Sequence, residues 1–178
     1  AAIIGVYGKF MGLAKQHLVL NELRADLMQV TDNADAYMRE INQHTVTAGN
    51  PYADPTPYYS VINSCNDVLK NLKIMLADNK IKQAEYDQRY SDIGALRSWI
   101  YLQLGIHWGD QVRYVTSPLE TLASAKDVAN YPVVTFDQLL DSLVNFTNAL
   151  PYTRPYPMGA TINTGLVTNV DGSNTRRF

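Results

Sequence analysis

The sequence predicts an all-α fold built from antiparallel helix pairs separated by long loops. Three observations carry this expectation. Apolar residues recur at i, i+3, i+4 through two long stretches, about 57–78 and about 82–107. Only the short turn Asp78-Asn79-Lys80 separates them, so the two helices are expected to lie side by side and antiparallel. Period-2 alternation, the mark of a half-buried strand, is almost absent. The pairs are expected to stack like tetratricopeptide units, although the consensus letters of that roughly 34-residue repeat do not recur cleanly.

Residues 2–16 read as an amphipathic helix with Ile3, Tyr7, Phe10, Met11 and Ala14 on one face. Gly8 and Gly12 give a GxxxG spacing, read as a point of close packing because the surrounding run is no apolar 20-mer. The stretch lacks a basic leading region and Lys9 interrupts it, so it does not read as a signal peptide. Residues 21–30 predict a short helix or its entry, and 33–42 a second one. From Thr45 to Pro57 the chain holds Gly49, Pro51, Pro55 and Pro57, which exclude a regular helix.

The first long helix carries Tyr58, Val61, Ile62, Cys65, Val68, Leu69, Leu72, Met75 and Leu76 as one stripe, about 30 Å of helix at its usual rise. On the second, Tyr86, Tyr90, Ile93, Arg97, Ile100, Leu104 and His107 share a face. Gly94, Ala95, Ser98 and Gly105 lie among them and allow a neighbouring helix to come close. His107, at the helix end, reads as a cation facing the helix dipole. Gly109-Asp110 breaks the chain, 112–116 reads as extended, and 119–134 carries no clear pattern. Thr135 and Gln138 have the capping-box spacing. They open a helix with Leu139, Leu140, Leu143, Phe146 and Leu150 inside, ended by Pro151. Residues 152–178 read as a loop-rich tail, and the whole of 1–178 as a single domain cut from a longer chain.

Composition excludes several function classes. The 178 residues carry 15 Lys plus Arg against 17 Asp plus Glu, a net charge of −2, without the basic footprint that nucleic acid requires. One cysteine, Cys65, rules out an internal disulfide and any multi-Cys zinc site. No apolar run approaches the length of a membrane span. His17, His44 and His107 share no ligand spacing, and no nucleotide-binding or nucleophile-elbow motif occurs. Asp32-Asn33-Ala34-Asp35 lacks the Gly and distal Glu of a calcium loop. Neither metal nor cofactor is expected. Asp26, Asp32, Asp35 and Asp54 supply carboxylates for a glycosidase pair, but spacing selects none of them.

Tyrosine is the unusual residue, with 12 against 4 Phe and 2 Trp. Tyr52, Tyr58 and Tyr59 surround the prolines of the first loop, with His44, Asn50 and Asp54 nearby. Two readings stand. Flat rings on a stiff loop suit stacking against the C–H face of a sugar, with amides and carboxylates fixing its hydroxyls. Alternatively Tyr58 staples onto the following helix and Tyr52 fills a gap between helices.

Several stretches together resemble the SusD/RagB family. Tyr59-Ser60-Val61-Ile62-Asn63-Ser64-Cys65-Asn66 is similar to its Y-x-x-I-x-x-C-N helix. Tyr90 through Leu104 is similar to its G-E-A-x-F-L-R-A-x-x-Y-F-x-L helix, with Ile93-Gly94-Ala95 in place of G-E-A. Trp108-Gly109-Asp110 through Thr116-Ser117-Pro118-Leu119 resembles its Y-G-D-V-P-L-x-T-x-P-L exit, with Val112-Arg113-Tyr114 in place of V-P-L. Phe136 through Pro151 resembles its I-x-x-D-L-x-x-A-x-x-x-L-P helix, and Glu22-Leu23-Arg24-Ala25-Asp26 its E-L-R-x-D. The order holds over about residues 3–151.

The resemblance implies a non-catalytic, surface-exposed lipoprotein of the bacterial outer membrane. Such a protein captures glycan for a TonB-dependent transporter of the SusC type and is held to the membrane by a lipid anchor upstream of Ala1. It also implies that Tyr52, Asp54 and Tyr58, with Asp26 from E-L-R-x-D, contact the glycan. The competing expectation is a helical-repeat scaffold that binds protein and not sugar.

Overall fold

A computed structural model describes residues 2–151, and the tail predicted over 152–178 lies outside the described residues. The all-α expectation holds at that level: helix dominates, and the strand content among the described residues is one two-residue ladder.

The N-terminal segment differs from its expectation. Helix α1 (Ala2–Met11) stops one residue before Gly12, and a short α2 (Ala14–Leu18) runs into a π-type turn over Val19–Leu23. The buried face of α1 is Ile3, Val6 and Phe10, continued by Leu13, while Met11 is 69% exposed and Tyr7 lies largely outside. The GxxxG spacing marks no packing seam. A Cβ on Gly8 meets nothing within 4 Å, and one on Gly12 meets only its own segment's Lys9 carbonyl at 3.1 Å. Helix α3 (Ala36–Asn42) is capped by Asp35, whose carboxylate accepts from the Met38 amide at 2.8 Å.

Helices α4 (Thr56–Ala77) and α5 (Gln83–Trp108) form the centre of the molecule. Pro57 sits in the first turn of α4, where its missing N–H is no loss. Asn79, at φ 56°, turns the chain between the two helices. The cross-contacts show the pairing directly. Tyr58 meets Trp108, Asn66 meets Arg97 and Lys73 meets Tyr90, so one helix descends as the other rises. Their shared core holds Val61, Ile62, Cys65, Val68, Leu69 and Leu72 against Ile93, Ile100 and Leu104. Gly109, at φ 58°, ends α5 in the region that favours glycine.

The ambiguous stretch resolves into local pieces. β1 (Val112–Arg113) pairs antiparallel with β2 (Val133–Val134), and α6 (Leu122–Lys126) lies between them. The capping box of α7 (Phe136–Asn148) forms as its spacing predicts, with Thr135 N–H donating to Gln138 Oε1 and Gln138 N–H to Thr135 Oγ1. Helix α7 lies on α5 where two glycines allow it. A Cβ on Gly94 stands 3.2 Å from the Phe146 ring and 2.7 Å from Leu150 Cδ2, just past the helix, and one on Gly105 stands 2.5 Å from the Phe136 ring.

One ionic expectation fails. His107 is no cation at a helix end. Burial, with Arg24 and His17 nearby, pushes its pKa down from 6.5 to about 4, so the ring is neutral. Cys65 is buried on the α4 stripe, and burial pushes its thiol up to about 12, the behaviour of an inert core residue.

Candidate functional site

The proline-rich loop is held by its backbone. Asn50, almost wholly buried, accepts the Tyr52 amide at 3.0 Å. Its own amide donates to Tyr37 O and to Glu40 Oε2, both at 3.0 Å. Glu40 also accepts from the amide and hydroxyl of Thr47, and these bonds hold its carboxyl below the usual range. Farther along, Gln16 Nε2 donates to Tyr52 O at 2.9 Å and Asp54 O at 2.7 Å, and Trp108 Nε1 donates to Ala53 O at 3.0 Å. Three consecutive carbonyls are thus gripped from α2 and α5.

This clamp decides where the expected sugar-contacting residues lie. Tyr52 is only 8% exposed, packed with Leu20, Leu23 and Ile41, and the Lys15 ammonium sits 5.4 Å above its ring. Tyr58 is fully buried, edge-on to Trp108 with ring centroids 5.5 Å apart, and burial pushes its hydroxyl up to about 12. Its side chain, 0% exposed, also lines the apolar hollow formed by Phe10, Leu13 and Trp99. Tyr58 thus packs against the end of α5, and Tyr52 fills the space among Leu20, Leu23 and Ile41. Asp54 is exposed and accepts the Thr56 amide at 2.9 Å, and Thr56 holds its carboxyl below the usual range. Asp26 is exposed at φ 59°. Among the described residues, no hydrogen bond or ring contact joins it to Tyr52, Asp54 or Tyr58.

A better-furnished surface lies farther along the α4–α5 pair, between Asn66 and Ile74 of α4 and Tyr90 and Arg97 of α5. A groove of about 540 Å³ is lined by Asn66, Lys70, Lys73, Tyr90, Arg97 and Ser117, with a few neighbours. Its floor is a buried polar junction. Arg97 Nη1 donates to Asn66 Oδ1 at 2.6 Å, and Asn66 Nδ2 donates to Val115 O at 3.0 Å and Ser117 O at 3.3 Å. The Phe146 ring supports the guanidinium, 4.2 Å from Cζ. Tyr90 stacks on Tyr86 with centroids 5.0 Å apart, and Lys73 lies 5.4 Å over the Tyr90 ring. Lys70 is engaged by Glu120 at 2.6 Å. An aromatic ring, fixed amide dipoles and cations around one hollow are the furniture of a polar-ligand site.

The sequence carries one signal for this groove, absent from the contact residues expected above. Arg97 is a cation inside a stripe of Ile93, Ile100 and Leu104, and a buried charge needs a reason.

Among the described residues no group of three or more His, Cys, Asp and Glu is placed to hold a metal, and no helix is long and apolar enough to cross a membrane. No family model, curated protein or solved structure matches the chain.

Proposed function

We propose that this chain belongs to the SusD/RagB family. In this reading it binds glycan at the bacterial outer-membrane surface without cleaving it, and hands it to a TonB-dependent transporter of the SusC type. The α4–α5 hairpin is read as one tetratricopeptide-like unit, with α7 as the start of the next layer. The observation that carries the reading is the junction under the groove. Asn66 closes one resembling motif, Arg97 lies in the second, and Val115 and Ser117 belong to the third. Their hydrogen bonds join all three at one point. Motifs far apart in sequence therefore meet at one junction, beneath a hollow of sugar size lined by Tyr90 and Ser117. Asp54, the expected contact left exposed on the clamped loop, extends the binding surface in this reading.

The test is a glycan-array screen of the chain beside its Tyr90→Ala variant. Retention on a polysaccharide, weakened at least about tenfold by Tyr90→Ala, supports the reading. Unchanged binding by the variant removes the groove from the site.

A second reading, a protein-binding scaffold, is favoured by one observation. Ile4 at 75% exposure, Met11 and Leu18 leave an apolar face on α1 and α2. It borders an almost wholly apolar hollow of about 260 Å³ walled by Phe10, Leu13 and Trp99. Co-purification with a transporter, with no retention on any polysaccharide, selects this reading.

A further inference from the structure

We propose that the groove recognises a carboxylate carried on a sugar, so that its ligand is a uronate-containing saccharide. The proposal rests on the saccharide-binding reading and names the class of sugar.

Arg97 carries the inference. It is 5% exposed, yet it lines the groove. Among the described residues its contacts orient the guanidinium without balancing its charge: one hydrogen bond reaches a neutral amide, Asn66, and one face rests on the Phe146 ring. Among the described residues no carboxylate forms an ion pair with it. A desolvated cation without a counter-charge is costly, whereas a guanidinium facing a carboxylate makes two charge-assisted hydrogen bonds in a matched plane.

The rest of the groove has the same sign. Lys73 stands at the rim over Tyr90, and its flexible stem allows the ammonium to move toward an entering anion. Glu120, which pairs with Lys70, is already neutralised at 2.6 Å. The chain as a whole is acidic, at −2, so this local excess of positive charge runs against the background. A ligand with hydroxyls alone leaves Arg97 unbalanced. A ring-sized ligand with one carboxylate satisfies it while meeting the Tyr90 ring and the polar wall at Ser117.

Isothermal titration at low salt with trigalacturonate, its carboxyl-reduced counterpart and triglutamate tests this. The expected result is at least about tenfold tighter binding of trigalacturonate than of the reduced trisaccharide. That preference shrinks as salt is raised and is lost in Arg97→Gln. Because Arg97 is buried and its loss endangers folding, Lys73→Gln at the rim provides the second variant, with an expected drop in preference of about threefold. Equal binding of the two trisaccharides overturns the carboxylate assignment and leaves the saccharide reading standing. Triglutamate binding as tightly as trigalacturonate overturns the sugar as bearer of the charge. Failure of both trisaccharides to bind overturns the proposal and the groove's saccharide reading together.

Discussion

The Tyr101 hydroxyl and the Val115 backbone hold each other twice, the hydroxyl donating to Val115 O at 2.7 Å and accepting from Val115 N at 2.8 Å. Tyr59 repeats the arrangement two residues earlier, donating to Arg113 O at 3.1 Å and accepting from Arg113 N at 2.9 Å. The segment leaving α5 thus uses two tyrosines, one from each long helix, where a strand would use a neighbour. Tyr101→Phe leaves both Val115 groups buried without these partners and is expected to cost about 1–3 kcal/mol. Urea denaturation measures it, and an unchanged midpoint would show that the contact contributes nothing.

Tyr58→Phe is expected to behave in the opposite way. The Tyr58 hydroxyl is buried with no hydrogen-bond partner among the described residues, so its removal relieves a desolvated dipole. Stability should stay level or rise by up to about 1 kcal/mol. Tyr58→Ala empties the same space and should cost about 3–5 kcal/mol. A large loss in the phenylalanine variant would reveal a partner for the hydroxyl.

Leu69, 4% exposed between α4 and its neighbours, tests the central hairpin. Leu69→Ala should cost about 2–5 kcal/mol, from lost transfer energy and the cavity left behind. A loss near zero in thermal or chemical unfolding would mean that the stripe is not core.

Gly105→Ala sets helix propensity against packing. Alanine gains up to about 1 kcal/mol in a helix interior, but its methyl would stand 2.5 Å from the Phe136 ring and 2.9 Å from Leu139 Cδ2. Overpacking of this kind costs about 1–3 kcal/mol, so a net loss of about 1–2 kcal/mol is expected. A stabilised variant would show that α7 shifts freely on α5.

Acid should unfold the chain partly through its histidines. His107 in the folded chain titrates near 4 instead of 6.5, and burial lowers His17 in the same direction. Below 6.5 the unfolded chain takes up protons that the folded chain refuses, so this contribution to stability is whole above about pH 6.5 and is lost as pH falls toward 4. The melting temperature should decline over that window, and His107→Phe should flatten the decline. A variant with the same pH profile as the parent would exclude His107 as its source.

How much of this was legible depends on how far each feature's causes lie along the chain. Helix α4 was readable because an apolar repeat over more than twenty residues tolerates only one phase, whereas α5, packed on both α4 and α7, buries Ile93, Gly94, Arg97, Ser98, Tyr101 and Leu104 on more than one side and was readable mainly from its length without a proline. Helix α1 was readable as a helix but not in its orientation. Apolar residues at 3, 4, 6, 7, 10 and 11 allow two overlapping stripes, and contact with α4 and Trp99 selects the one through Val6. The two-residue strands carry no periodicity to detect. The loop tyrosines were readable as anchors of some kind. Their burial depends on Gln16 and Trp108, some forty residues before and fifty after, so local pattern did not separate stapling from sugar contact. His107 misled because the helix-end rule assumes water around the last turn.

The grip on Tyr52, Ala53 and Asp54 engages main-chain oxygens alone, which every amino acid supplies. The outward-facing letters of that turn are therefore free to drift, or to be exchanged by an engineer, without the path of the chain changing beneath them. Asp54 adds a side-chain bond, to the Thr56 amide, so replacing it removes that contact and leaves the main-chain grip in place.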